Sequence, residues 1–256
     1  MSKKIGIALS GGGARAIAHL GILKALEEFG IHPSIISGTS AGAIAGAFYA
    51  SGYSIKEILE IIEKGHFFSF SNILFEKQGL FSMKPFEKIY NQYFSKKTIN
   101  DLNIPLFITA TDILKGELVY FSSGNLSQAL MASSCIPLVF QPVSFNNTLY
   151  VDGGVLNNFP VEPLINNCDI IIGINVNSIR KEVTEIHMNN IIDRSFHLAL
   201  NGTVQNKITD CNLYLEPPNM SQFSIFDLKK IEEIYNYGYN YGISKEKEIK
   251  SLIEDN

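Results

Sequence analysis

The stretch Pro33-Ser34-Ile35-Ile36-Ser37-Gly38-Thr39-Ser40-Ala41-Gly42 decides the fold. Ser34–Ser37 reads as a short strand opened by Pro33, and the small-residue run after Gly42 reads as a helix to about Ser51. Between them, Gly38-Thr39-Ser40-Ala41-Gly42 has the form Gly-x-Ser-x-Gly, the elbow that lifts a serine hydroxyl clear of the backbone. The flanking glycines remove side chains that would clash in so sharp a turn. A helix starting at Ala41 points the positive end of its dipole at the hydroxyl, where negative charge would develop. A turn that merely needs small residues produces the same pattern. Placement between a strand and a helix favours a nucleophile, Ser40.

Working outward, Lys4–Leu9 reads as a buried apolar strand, Ser10-Gly11-Gly12-Gly13 as a turn, and Ala14–Phe29 as a helix. Its apolar residues Ile17, Leu20, Leu23 and Leu26 keep helical spacing, and Gly30 stops it. Strand, helix, strand, turn and helix in this order predict a right-handed parallel crossover. Downstream, the pattern predicts helices over Ser54–Lys64, Pro85–Phe94, Leu126–Ser134, Val161–Asn166, Asn189–Thr209 and Asp227–Leu252. It predicts strands over Leu106–Thr111, Glu117–Phe121, Val143–Phe145, Leu149–Val151 and Asn212–Leu215. Asp169–Val176 is a near-continuous apolar run, as a central parallel strand requires. No repeat, low-complexity stretch or linker interrupts residues 1–256. The fold class is therefore α/β, one domain with helices on both faces of a mostly parallel sheet.

Composition narrows the function. The 256 residues carry a net charge of −4, so no basic face for nucleic acid is expected. Apolar residues make up 46%, enough for a greasy groove as well as a core. No run of about 18 strongly apolar residues exists, so no transmembrane helix is expected. Three cysteines, an odd count without CxxC spacing, argue against a disulfide framework or a zinc site and fit a reducing compartment. The expected place is the cytoplasm, at most peripheral to a membrane.

Two further segments carry chemistry. Ser10-Gly11-Gly12-Gly13-Ala14-Arg15 lets backbone N–H groups converge on an anion, and the oxyanion of an ester intermediate is the natural one beside a serine elbow. Gly11-x-Gly13-x-x-Ala16 also matches a relaxed dinucleotide fingerprint, but positions 36 to 39 lack the acid that would hold the ribose. Arg15 suits a substrate phosphate, a helix-end contact or a structural salt bridge. Tyr150-Val151-Asp152-Gly153-Gly154 sets a carboxylate at a strand end. Alone this is an Asp-Gly turn. Next to a serine in need of a base, Asp152 becomes a candidate partner. His19, His32, His66, His187 and His197 are the alternative bases, and Ser40, Asp152 and then His187 or His197 would follow the α/β-hydrolase order. Only one strand–helix unit precedes Ser40, which is too early for that fold.

Taken together these blocks resemble the patatin-like phospholipase family, in its bacterial single-domain form. Gly11 to Arg15 with His19-Leu20-Gly21 is similar to the family's oxyanion loop and first helix. Gly38–Gly42 resembles its nucleophile motif, Ala132-Ser133-Ser134-Cys135-Ile136-Pro137 a further block, and Asp152-Gly153-Gly154 with Asn158-x-Pro160 its acid segment. Ala16 stands where the family commonly has glycine. The likeness spans positions 5 to about 176, and the helical part at 187–256 matches weakly. It implies a three-layer sandwich around a mostly parallel sheet and a Ser40–Asp152 dyad. It also implies an oxyanion hole at Gly11, Gly12 and Gly13, and acyl-ester hydrolysis on lipids with no metal and no cofactor. An acyltransferase using the same acyl-enzyme, and a silent lipid-binding module, are the rival readings. The Phe-rich segment 65–82 would be either an acyl groove and membrane lip or a private loop core. Asn175 and Asn177 suggest no chemistry.

Overall fold

Ile5, Ile7 and Leu9 of β1 (Ile5–Leu9) face one hydrophobic core while Ala8 faces another. β7 (Ile170–Ile174) divides in the same way, with Ile170, Ile172 and Ile174 on one side and Ile171 on the other. Side chains alternate across a strand, so continuous apolar runs mark strands covered on both faces. The computed structural model describes residues 3–65, 81–94, 97–178, 191, 198, 200–225 and 228–254. The larger core lies under α1 (Ile17–Glu28), α2 (Ala41–Ala50), α3 (Ile55–Gly65), α4 (Lys84–Phe94) and α5 (Leu126–Ser133). The smaller one packs Phe159, Val161, Leu164 and Val204 on the opposite face; Val204 belongs to α6, of which residues 200–205 are described. The result is the three-layer α/β arrangement expected from the sequence.

The sheet has eight strands. β2 (Ile35–Thr39), β1, β7 and β8 (Leu213–Leu215) run parallel, and β3 (Leu106–Asp112) continues them beyond β2. β4 (Glu117–Phe121) and β6 (Thr148–Asp152) both pair antiparallel with β3, and β5 (Val143–Phe145) pairs antiparallel with β6. Register on β3 fixes the site. β2 occupies one edge of β3 up to the Thr39–Thr109 pair, and β4 overlaps that stretch, so β4 holds the opposite edge. β6 overlaps β4 at Ala110 to Asp112 and must therefore share the edge of β2. Asp152 pairs with Ala110, the very next residue after Thr109. The acid thus sits where β2 stops and the Thr39–Ser40 turn leaves the sheet.

Differences from the sequence reading are local. The first turn of Ala14–Phe29 is a 3-10 turn over Gly13–Ala16 before α1 begins. Residues 161–167 form turns rather than a helix, closed by three-residue bonds such as Leu164 N–H to Val161 O at 2.9 Å. Pro163 has no N–H to give to a helical ladder, and proline disfavours helix in the residue before it. The closing helix is two, α7 (Ile231–Ser244) and α8 (Glu246–Glu254), separated at Lys245. α7 lies against α1 so closely that a Cβ on Gly21 would strike the Tyr235 carbonyl and one on Gly238 the Ala18 carbonyl. The expected Asn189–Thr209 helix is seen at 191, 198 and 200–205, with a 3-10 turn at Ile208–Asp210; its other residues, Asn189 and Asn190 included, lie outside the described residues. So does 66–80, the bulk of the Phe-rich segment. No described helix is long and apolar enough to cross a membrane.

Candidate active site

Ser40 holds φ 53° and ψ −125°, a conformation that a non-glycine residue rarely adopts. Such backbone costs on the order of 1–3 kcal/mol and persists only where its surroundings enforce it. Here the Ser40 N–H donates to Ser133 Oγ of α5 at 2.8 Å, and the Ser40 carbonyl accepts from Ile44 N–H at 3.1 Å. A Cβ on Gly42 would collide with the Leu9 and Ser10 carbonyls, so only glycine lets α2 approach the end of β1. The elbow glycines serve close backbone approach, as the sequence suggested.

Asp152 is reached from the sheet edge described above. Its N–H donates to the Cys135 carbonyl at 2.9 Å, and its carbonyl accepts from Thr111 Oγ1 at 3.1 Å. Oδ1 accepts the Gly154 N–H at 2.7 Å, and the Ser40 side chain stands near enough to draw the carboxyl's pKa down. The residue is 6% exposed. Burial pushes its pKa up to about 6, against the opposing pull of the nearby Ser40 hydroxyl and of the Gly154 N–H. A carboxylate so adjusted can accept a proton near neutral pH.

The glycine loop divides its labour. Gly11 N–H donates to the Asn158 carbonyl at 3.1 Å, and the Gly11 carbonyl accepts from Asn177 Nδ2 at 2.5 Å. Gly11 therefore presents no free amide, which corrects its place among the three expected oxyanion donors. Among the described residues, the N–H groups of Gly12 and Gly13 meet no acceptor, and both residues line a cleft with Ser40 and Asp152. That cleft has about 30 Å³ of free volume, room for one water-sized group. Asn158, Asn177, Ile136, Leu200 and Ile225 complete its wall. Asn177 was assigned no chemistry from sequence. It is buried, braces Gly11 and Ser10, and keeps Oδ1 without a partner among the described residues.

Beside Ser40 opens a second, apolar pocket walled by Ile44, Met83, Phe86, Tyr90, Ile136 and Phe140. The Phe-rich segment 65–82, read from sequence as an acyl groove or a loop core, lies outside the described residues at 66–80. Arg15, expected to meet a substrate phosphate or a helix end, is buried and donates from Nε to the Phe223 carbonyl at 2.7 Å, fastening the first turn to a distant loop. His19 of α1 is buried, and burial holds it well below its ordinary pKa, at about 3. The Ile174 carbonyl is near it without a well-formed bond. His32 is exposed; His66, His187 and His197 lie outside the described residues. No described histidine lines either pocket.

Asn158 and Ser133 are the site residues that residue chemistry alone did not single out. Both stood in quoted blocks, but nothing local in the sequence shows which polar atom turns toward Ser40.

The model of patatin-like phospholipases matches residues 7–165, more than half of the chain. Lysophospholipase NTE1 of Kluyveromyces lactis is 29% identical over 271 residues, covering 93% of this chain and 19% of that protein. Lysophospholipase nte1 of Aspergillus niger is 26% identical over 273 residues, covering 94% of this chain and 18% of that protein. The chain thus spans about a fifth of the length of these relatives. Among solved structures, VipD from Legionella pneumophila superposes with a TM-score of 0.58 at 15% identity, over 99% of this chain and 67% of that one, a likeness of fold. The chain belongs to the patatin-like phospholipase family.

Proposed function

We propose that this chain hydrolyses carboxylic esters of single-chain lipids such as lysophospholipids, with Ser40 as nucleophile and Asp152 as general base. The observation that carries the reading is that Ser40 and a buried carboxylate of raised pKa line one cleft, with Ser40 also at the mouth of an apolar pocket. Ser40 Oγ attacks the ester carbonyl carbon while Asp152 takes its proton. The carbonyl oxygen becomes an oxyanion facing the Gly12 and Gly13 amides, backed by the N-terminus of α2. Collapse breaks the ester C–O bond, and Asp152 returns the proton to the leaving alcohol. Water then attacks the acyl-enzyme, again giving its proton to Asp152, and the released fatty acid leaves Ser40 reprotonated. The acyl chain occupies the pocket of Ile44, Met83, Phe86 and Phe140.

The relatives' names support a lysophospholipid as substrate. Exposed Leu138, at 86%, and exposed Val155 and Leu156 lie on segments that continue from Ile136 and Asp152, and they support contact with a membrane surface. The free thiols of Cys135, Cys168 and Cys211 support a cytoplasmic setting. The test is labelling by a fluorophosphonate followed by a lipid panel with products identified by mass spectrometry. Wild type should be labelled at Ser40 and release fatty acid from a lysophospholipid, and Ser40→Ala should do neither. Turnover by pure, folded Ser40→Ala would end the proposal. Acyl transfer to an added alcohol without fatty-acid release would replace hydrolysis by transfer.

A further inference from the structure

Gly11, Gly12 and Gly13 together promise three amides to an oxyanion, yet the structure leaves two. The Gly11 N–H is engaged by the Asn158 backbone carbonyl. Asn158 is 2% exposed, and its own N–H donates to Thr203 Oγ1 at 3.3 Å. Its side-chain nitrogen has no acceptor among the described residues. A buried amide donor without a partner is uncommon and calls for one. Here the side chain lines the same water-sized cleft as Ser40, Asp152, Gly12 and Gly13.

Two close approaches fix where the carboxamide stands. A Cβ on Gly154 would lie 3.0 Å from both Asn158 Oδ1 and Asp152 Oδ1, so the amide flanks the carboxylate. A Cβ on Gly11 would strike Asn158 Oδ1 and lie 3.3 Å from Ser40 Cβ, so the amide also flanks the serine. A half-turn about χ2 exchanges the two ends of the amide without altering its shape. As the side chain stands, Oδ1 is the end turned toward Gly11, Ser40 and Asp152, and the half-turn brings the donor there, into the space that the oxygen of a reacting ester would enter.

We infer that Asn158 is a further catalytic residue: its side-chain amide hydrogen-bonds the ester carbonyl oxygen as that oxygen becomes an oxyanion, joining the Gly12 and Gly13 amides in the place the engaged Gly11 amide leaves. The inference rests on the Ser40–Asp152 reading. A side-chain donor here gains strength from the dry surroundings and from needing no reorganisation during the reaction.

The test uses the full chain with p-nitrophenyl butyrate, comparing wild type, Ser40→Ala, Asn158→Leu and Asn158→Ala. Leucine keeps the outline of asparagine and removes the donor. Both Asn158 variants should lose about 10²–10³-fold in kcat, as for removal of one oxyanion donor. KM should stay within about threefold, and the pH midpoint of kcat/KM should not move. Circular dichroism checks folding, and if Asn158→Leu does not fold, Asn158→Ala, which adds no bulk, decides. If a folded Asn158 variant keeps kcat within about threefold while Ser40→Ala is dead, the inference alone falls. A shifted pH midpoint with an undiminished plateau also overturns it, because Asn158 would then act by positioning Asp152. If Ser40→Ala remains active, the dyad reading falls and takes the inference with it.

Discussion

At the scale of the residue, the site rests on a carboxyl group held in the wrong solvent for its charge. Raising the Asp152 pKa from 3.8 to about 6 favours the protonated form in the fold. The stability from that proton is full below the unfolded value and is lost as pH rises through about 6. Two pKa units correspond to roughly 3 kcal/mol. Asp152→Asn, which keeps an acceptor for the Gly154 N–H, should therefore raise stability at pH 8 by up to about 3 kcal/mol and leave it little changed near pH 4. Urea titration at the two pH values reads this directly. The same variant should lose about 100-fold or more in kcat, and wild-type kcat/KM should climb with pH to a plateau above a midpoint near 6. Equal stability of the two proteins at pH 8 would show that burial does not strain the acid. His19 has the opposite sign: its pKa falls to about 3, so its share of stability is present above about 6.5 and is lost in acid. If the dyad needs no imidazole, His187→Gln and His197→Gln should each retain most activity, whereas loss of a triad histidine costs several orders of magnitude. Ser40 and Asp152 were legible because glycines at fixed spacing announce special backbone. Asn158 and Asn177 were not, because an asparagine's sequence neighbours do not tell which of its ends is buried.

At the scale of the element, local pattern located each of the eight described strands. Asn146 and Asn147 both take positive φ, 51° and 59°, as a tight hairpin between β5 and β6 demands, and asparagine tolerates that region well. The failures were the turns at 161–167 and the split between α7 and α8, where a proline or a change of direction overrides apolar spacing. The crossing of α1 and α7 shows what pattern cannot reveal. Gly21 and Gly238 lie more than 200 positions apart in the chain, and neither has a turn to explain it. Each lets the other helix's backbone pass. Gly238→Ala should thus lower stability by about 1–3 kcal/mol, since the group it meets is a backbone carbonyl that cannot rotate away. A matched Asn236→Ala change on the same helix serves as control, and equal denaturation midpoints for the two would refute the packing argument.

At the scale of the whole molecule, the order of the sheet decides which segments can meet. Met83 borders the apolar pocket beside Ser40 and also a hollow of about 280 Å³ lined by Lys84, Glu87, Gln128 and Gln141. Met83→Ala should join the two and move the preferred acyl chain toward greater length, read as the ratio of kcat/KM for long over short p-nitrophenyl esters. An unchanged ratio in a folded variant would place the acyl chain elsewhere. The edge of β3 that carries β2 and then β6 has a broader consequence. The acid and the serine are spaced by the rungs of a backbone ladder, Thr39 against Thr109 and Asp152 against Ala110, and not by contact between their side chains. Between Ile113 and Asn147, β4 and β5 stay in the sheet and Ser133 and Cys135 hold the serine and the acid, while the turns that join these pieces stand outside the ladder. The chain can therefore vary those turns, and with them the surface it shows to lipid, as a lathe changes its tool while the spindle stays true.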